Sequence, residues 1–294
     1  MGLVLLASCD SKPEEADLEQ AVRTLLDSQD WGAAKDKAQE YTEFYPESAV
    51  AHNMLGFAQM QLGELREATY TLGKAVGLDS TDYRFYFNLG NAYNRFATEQ
   101  SGEPKDYLFA HQAYTKAIEL RPNIAQIYVY RAVMMNNLES SVEAIPDLKF
   151  ALELDPNNTQ AHYFMGRNYR NIANKDTLWV GVERFGQSPE SKQAYRDSAM
   201  AALEKAVSID KNYADAWQWL GMTRMESGLG AEACEAWVQA KSAGAERADI
   251  NLHYNCPDYE DEHTEEEVKA MMEEVEQKLE EMEEGHFEGD GHGH

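Results

Sequence analysis

Pairs of one large and one small residue return along this sequence at intervals of 34 positions. Leu55-Gly56 recurs 34 residues later as Leu89-Gly90. Met165-Gly166 and Leu220-Gly221 are separated by 55 residues, which is one such interval plus an insertion of 21. A period of this length indicates stacked copies of one small unit, because a single unit cannot bury its apolar face alone. The sequence therefore predicts a repeat architecture.

Small residues within the stretch from Ala51 to Ser80 resemble those of the tetratricopeptide repeat (TPR). Gly56 takes the small position of a first helix, and Ala68 and Ala75 take those of a second helix, with Leu72 between them. Such spacing lets two helices approach closely and interlock. The resemblance implies an all-α fold, a right-handed TPR α-solenoid of about six helix-turn-helix repeats with C-terminal capping helices.

The resemblance divides the chain into six repeats with flanking regions. The third and fifth repeats carry 8 and 21 extra residues between their helices, and Ser188-Pro189 in the longer insertion predicts a helix start. The fourth repeat has Arg131-Ala132 at the Leu-Gly position, and its Pro146 is expected to kink or delay the second helix. The predicted repeats are residues 15–48, 49–82, 83–124, 125–158, 159–213 and 214–245, between a signal remnant and linker (1–14), capping helices (246–284) and a disordered Gly/His tail (285–294).

The charge of the chain is strongly acidic and unevenly spread. The formal net charge is −26, and residues 257–294 contribute −14 of it. Such a charge excludes nucleic acid as a natural partner, since phosphate backbones need basic faces. Within this acidic region, Thr264 and Glu267 form a predicted capping box, followed by apolar residues at helical spacing from Val268 to Met282. That stripe is expected to cover the end of the last repeat, and docking to a partner is the alternative.

Leu6-Ala7-Ser8-Cys9 resembles a bacterial lipobox. The resemblance implies removal of residues 1–8, acylation of Cys9, and a membrane contact made through this lipid anchor. The preceding apolar run is short and carries no basic residue, so we expect the true start to lie upstream. The alternative is an accidental match. Elsewhere, no uninterrupted apolar stretch approaches the 18 residues that a membrane-spanning helix needs.

The other two cysteines, Cys234 and Cys256, lie near the end of the predicted solenoid. A cysteine and a tryptophan with two residues between them, followed by another cysteine after a capping helix, resemble the closing segment of some envelope TPR proteins. The resemblance implies a Cys234–Cys256 disulfide. The alternative is two reduced thiols packed as small hydrophobes.

The sequence offers no compact catalytic signature, such as a P-loop, HExxH, GxSxG or CxxC. We therefore expect no enzyme activity and no cofactor. His52 and His162 occupy the fourth position of their repeats, which predicts a packing role. The tail histidines are residue types that ligate transition metals, but a Gly-rich tail lacks preorganised geometry, so metal binding is only the weaker alternative there. These histidines are His286, His292 and His294.

In the TPR family, the first helix of each repeat lines an inner groove. Amides in such a groove hydrogen-bond an extended backbone while aromatic and methionine side chains form pockets. The resemblance implies a protein or peptide partner and no small-molecule substrate. The lysine-rich clamp of chaperone-binding TPRs is missing, since Asn91 lacks lysines at neighbouring lining positions. The candidate groove residues are Asn53, Phe57, Phe87, Asn91, Asn94, Tyr163, Arg167 and Arg170.

Two features indicate where specificity lies. The 21-residue insertion holds Trp179 and Phe185 in an apolar cluster, which is either a partner-binding rim or a local plug against neighbouring helices. Arg167 and Arg170 are basic points on a very acidic chain, so an acidic or polar peptide, the chain's own tail included, is expected there.

Together these features predict a non-catalytic, lipid-anchored protein-interaction scaffold. Its expected location is the bacterial cell envelope, facing the periplasm or the cell surface. The alternative is a soluble TPR co-chaperone or regulator without a membrane anchor.

Overall fold

The computed structural model describes residues 12–137, 141–180, 183–257, 259 and 264–284. Helices dominate this part of the chain, with one π-helical turn and one two-stranded hairpin. The elements are α1 (Glu15–Asp27), α2 (Trp31–Phe44), α3 (Ala49–Gln61), α4 (Leu65–Leu78), α5 (Tyr83–Phe96), the π turn (Ala97–Ser101), α6 (Pro104–Leu120), α7 (Ala125–Asn137), α8 (Ser141–Leu154), α9 (Thr159–Asn174), β1 (Thr177–Val180), β2 (Glu183–Gly186), α10 (Pro189–Ile209), α11 (Ala214–Glu226), α12 (Gly230–Ser242), α13 (Ala248–Asn255) and α14 (Glu265–Glu284).

The helices from α1 to α12 stack in six pairs as a solenoid. Each helix packs against the next helix along the chain, and several first helices also touch the first helix of the following pair, as α3 touches α5 and α9 touches α11. The core is a chain of small clusters along the stack. The predicted all-α solenoid is confirmed, and the odd-numbered helices form one shared face.

The second, fourth and fifth helix pairs each begin at a junction held by the same kind of hydrogen bond. The Nε2 atom of His52 lies 2.9 Å from the carbonyl oxygen of Pro46, and that of His162 lies 3.0 Å from the carbonyl oxygen of Pro156. The Tyr128 hydroxyl donates to the carbonyl of Pro122 in the same way. Burial lowers the pKa of His52, which favours the neutral ring. Both histidines therefore take the packing role predicted for them.

Glycine in the Leu-Gly pairs permits the close approach within each helix pair. A Cβ atom added at Gly56 would lie 2.6 Å from Leu72 Cγ, and one added at Gly90 would lie 2.7 Å from Tyr114 Cε1. At Gly221 the added atom would overlap the indole ring of Trp237, which is fully buried. These contacts explain why a glycine recurs at the same position of several repeats: a larger residue there would collide with the second helix of the pair.

Gly221→Ala is expected to lower the free energy of unfolding by about 2 kcal/mol, as overpacking of a rigid core does. The Trp237 ring is fully buried, so moving it would disturb the packing around it. Gly73→Ala is the matched control, because a Cβ added there meets nothing within 4 Å in the interior of α4. That control should stabilise the protein by about 0.5–1 kcal/mol through helix propensity. Urea unfolding followed by circular dichroism measures both, and equal effects of the two variants would contradict the packing argument.

The fourth helix pair, α7 and α8, replaces the usual Leu-Gly contact by an ion pair. The Arg131 guanidinium donates from Nε and Nη2 to the two carboxylate oxygens of Asp147, both at 2.7 Å, and from Nη1 to Thr115 Oγ1 at 3.1 Å. Asp147 is 9% exposed. The helix α8 begins at Ser141, so Pro146 lies inside it and does not delay its start.

The described residues of the two insertions form regular secondary structure. In the third repeat, the extra residues form the π turn, which ends at Gly102 with a φ of 61°, and a longer α6. In the fifth repeat, they lengthen α9 and α10 and form the antiparallel β1–β2 hairpin, which pairs Leu178 with Phe185 and Trp179 with Arg184. Ser188 caps α10 by accepting the Ser191 amide at 3.2 Å, as predicted. The hairpin was not predicted.

The C-terminal end of the stack is closed by α13 and by the start of α14. A disulfide joins Cys234 on α12 to Cys256 after α13. Lys241 on α12 lies 2.6 Å from a carboxylate oxygen of Asp249 and donates to the Tyr259 hydroxyl at 3.0 Å. The predicted capping box is present, since the Thr264 amide donates to Glu267 Oε2 at 2.7 Å. Val268 is buried, whereas Met271, Met272 and Val275 are only partly covered.

Candidate functional site

The face shared by the first helices carries a cavity of about 450 Å³. Its walls come from α1, α3, α5 and the start of α7, which are the first helices of the first four repeats. The predicted groove residues Asn53, Phe57 and Phe87 all line it, together with Asn88 and Gln126. Its exposed lining is mostly apolar, with amides between the aromatic rings. A cavity of this kind accepts an apolar side chain while hydrogen-bonding the backbone that carries it.

Side-chain amides connect neighbouring first helices across this face. Asn88 Nδ2 donates to Asn53 Oδ1 at 2.9 Å, and Gln126 Nε2 donates to Gln160 Oε1 at 2.6 Å. Asn91 Oδ1 accepts the Tyr114 hydroxyl at 2.7 Å. A primary amide has two donor hydrogens and two acceptor lone pairs, so these contacts leave further capacity for a ligand.

Aromatic rings form the floor beneath these amides. Phe87 packs on Tyr114 and Tyr130, with ring centroids 6.2 and 5.6 Å apart, and Phe57 packs on Trp31 at 6.3 Å. Burial raises the pKa of Tyr114 well above its usual range, so this hydroxyl remains a donor to Asn91. Asn94, another predicted groove residue, is half-buried and accepts a long hydrogen bond from Thr98.

The predicted residues on α9 take three different roles. Tyr163 is only 5% exposed and belongs to the core, where it packs on Tyr213 with centroids 4.8 Å apart. Arg170 forms an ion pair with Glu226 of α11 and is therefore neutralised. Arg167 lies over the ring of Trp219, with 4.7 Å between its guanidinium carbon and the ring centroid. Burial raises the pKa of Tyr163, and the positive charge of Arg167 opposes that rise.

Trp219 is a site residue that the repeat positions did not single out. It occupies the sixth position of its repeat, equivalent to Asn88 and Tyr130, and each of these three side chains contacts a residue on the preceding first helix. The sixth position of the repeat therefore lines the face shared by the first helices, in addition to the positions from which the groove residues were predicted. The signal in the sequence is the aromatic residue at this position in the fourth, fifth and sixth repeats, which are Tyr130, Phe164 and Trp219.

Several predicted sites lie outside the described residues. These are Cys9 and the tail histidines His286, His292 and His294. The side chains of Trp179 and Phe185 in the hairpin are also outside the description, so the proposed rim stays a prediction. Within the described ranges, no three His, Cys, Asp or Glu side chains lie close enough together to hold a metal ion. Among the described helices, none has the length and apolarity needed to span a bilayer.

Comparisons with known proteins agree with this geometry. No protein-family model matches the chain. The chain is 29% identical over 140 residues to the Protein SGT1 homolog of Oryza sativa subsp. japonica, a match covering 48% of this chain and 36% of that protein. It is 26% identical over 240 residues to the Protein O-mannosyl-transferase TMTC3 of Mus musculus, covering 69% of this chain and 25% of that protein. The chain thus spans well under half the length of either relative.

Solved structures show the fold directly. YrrB, described as a TPR protein with an unusual peptide-binding site, superposes with a TM-score of 0.51 at 21% identity, over 74% of this chain and 96% of YrrB. A chain of the APC/C hetero-tetramer Cut9-Hcn1 superposes with a TM-score of 0.58 at 16% identity, over 81% of this chain and 43% of that chain. The chain therefore has the fold of a tetratricopeptide-repeat solenoid, as the spacing of its small residues predicts.

Proposed function

We propose that this protein is a non-catalytic scaffold that holds an extended segment of a protein partner along the face of its first helices. The cavity of about 450 Å³ between α3 and α5 carries this proposal. Phe57 and Phe87 supply an apolar wall for one side chain, and the Asn53–Asn88 amide pair lies where the partner's backbone would run. The peptide-binding site named for YrrB, a protein of the same fold, supports the same use of the solenoid.

Site-specific photocrosslinking in cells tests where partners bind. A photoreactive phenylalanine analogue at Asn53 is expected to capture a discrete partner, because this position lines the cavity. The same analogue at Tyr70 on α4 is the matched control, since that ring is 79% exposed but lies on a second helix. Capture at Tyr70 with none at Asn53 would move the binding surface away from the cavity and contradict the proposal.

The proposed location is the bacterial envelope, with a lipid anchor on Cys9. Two observations support it. The Leu6-Ala7-Ser8-Cys9 segment resembles a lipobox. The Cys234–Cys256 disulfide of the structure is a kind of bond that persists in oxidising compartments such as the periplasm. With this anchor, the solenoid would hold its partner close to a membrane.

Cys9→Ala, in protein expressed from the complete gene, is expected to move the chain from the membrane fraction to the soluble fraction, because the diacylglycerol acceptor is lost. Detergent partitioning measures the change. A variant with Cys234→Ser and Cys256→Ser should stay with the membrane. If Cys9→Ala stays there as well, Cys9 is not the anchor. Wild-type protein found in the soluble fraction would instead favour the soluble regulator.

A further inference from the structure

Arg167 lies on the groove face of α9 with aromatic rings on several sides. Its guanidinium carbon is 4.7 Å from the Trp219 ring centroid, 5.6 Å from that of Tyr163 and 5.7 Å from that of Phe164. The side chain is half-buried, and its Nε atom is shielded from solvent. This cation therefore has lost part of its hydration.

Carboxylates neutralise the neighbouring arginines but not Arg167. Arg170 is paired with Glu226, and Arg224 lies 3.0 Å from a carboxylate oxygen of Glu204. In the described part of the chain, Arg167 has no carboxylate within 4.0 Å, and its buried Nε has no hydrogen-bond acceptor. Aromatic faces attract the charge but only partly replace the lost water. Among the described residues, Arg167 is thus a cation on the candidate binding face that has aromatic neighbours but no carboxylate partner.

From this geometry we infer that Arg167 binds one carboxylate side chain of the partner segment held in the groove. The inference rests on the proposed function and specifies the chemistry of the partner. A guanidinium matches a carboxylate geometrically and pairs with it through charge-assisted hydrogen bonds. Held by three rings, the Arg167 side chain has less conformational freedom to lose when the pair forms.

The partner segment carries a single acidic residue among neutral or basic ones. The chain as a whole has a charge of −26, and a further acid, Asp215 of the neighbouring helix α11, acts electrostatically on Tyr163. Screening reduces repulsion beyond about 8 Å at physiological ionic strength, so a nearby acid matters more than charges farther away. A run of acidic residues would be repelled by Asp215, whereas one carboxylate placed on Arg167 would be attracted to the guanidinium.

Selection from an unbiased displayed peptide library tests this preference with the full-length protein. The wild type is expected to select peptides that share an Asp or Glu at a constant distance from their apolar residues. Arg167→Gln should still select the apolar residues but lose the acidic position, and Arg167→Lys should retain it. Arg66→Gln is the matched control, because Arg66 also lies over a ring, that of Phe96, but on the second helix α4. Melting curves establish that every variant is folded.

Affinity measurements on one selected peptide give the size of the effect. Changing its acidic residue to the amide should weaken binding to the wild type by about tenfold or more, and should have little effect on binding to Arg167→Gln.

Selected peptides without an acidic position would overturn the inference and leave the proposed function intact. Failure of the wild type to select any peptide would contradict both. A synthetic copy of residues 285–294 that displaces the peptide by binding at Arg167 would identify the chain's own tail as the occupant. That result would overturn the assignment to a partner.

Discussion

Asp147→Ala is expected to lower the free energy of unfolding by about 3 kcal/mol, because it leaves Arg131 buried without its carboxylate. Two hydrogen bonds of 2.7 Å are lost, while the hydrogen bond of Arg131 to Thr115 at 3.1 Å and its contact with the Tyr128 ring remain. The arginine side chain is 18% exposed and so cannot recover full hydration without leaving its place between α7 and α8. Urea unfolding measured by circular dichroism gives the free energy directly.

The sixth repeat supplies the control for this prediction. Leu220 occupies the position equivalent to Arg131, and Ala236 the position equivalent to Asp147, and both are buried in their own helix pair. A double variant, Arg131→Leu with Asp147→Ala, therefore copies an arrangement that this chain already uses. Replacing a buried ion pair by packed apolar residues is often neutral or stabilising. If the double variant is as unstable as Asp147→Ala, the loss lies in packing and the unpaired charge is not its cause.

The sequence predicted the stacked helices well because each prediction rested on a local and repeated constraint. Gly56 must be small for Leu72 to approach, and the same requirement returns at Gly221 against Trp237. Helix starts could also be predicted from the local sequence, since Ser188 caps the helix formed by the residues that immediately follow it. Such signals need no knowledge of distant parts of the chain.

The missed features depend on residues that are far apart in the sequence. Arg131 was visible as a break in the Leu-Gly pattern, but nothing indicated that Asp147, 16 residues later, completes the contact. Arg170 was predicted as a basic point, and its neutralising partner Glu226 lies 56 residues away. The β1–β2 hairpin was missed because a short apolar run shows neither helical nor strand periodicity clearly, so only the pairing defines it.

The groove was predicted in outline and corrected in detail. Asn53, Phe57 and Phe87 line the cavity as expected. Tyr163 shares the fifth position of the repeat with Phe87, yet it is buried, because Phe164 and Tyr213 pack over its ring. Trp219 takes a place on the same face instead. Repeat position alone therefore predicts which face a side chain joins, and the size of its neighbours decides whether it stays exposed.

Reduction of the Cys234–Cys256 disulfide is expected to release the C-terminal cap while the six helix pairs stay folded. The bond closes a loop between residues 22 positions apart, a constraint that stabilises a fold by about 3 kcal/mol in the chain-entropy model. The helix α13 has only 8 residues, too few to persist without tertiary contacts. Its remaining attachments include the buried Ala248 and Leu252 and the ion pair of Lys241 with Asp249.

Limited proteolysis with and without reductant measures this release, because cleavage after α12 reports local opening of the cap. Reduced wild type and a Cys234→Ser, Cys256→Ser variant should be cut equally fast between residues 246 and 284, and oxidised wild type more slowly by about a hundredfold if the full stabilisation acts locally. A Cys9→Ala background removes the third cysteine from the comparison.

Lys241→Met is a second probe, since it removes the ion pair to Asp249 and the hydrogen bond to Tyr259 but leaves the disulfide in place. A solenoid is stabilised mainly by contacts between neighbouring units. Loss of the cap should therefore lower the melting temperature of the sixth helix pair more than that of the first. Equal protection of residues 246–284 in the oxidised and reduced proteins would mean that contacts other than the disulfide are sufficient to hold the cap.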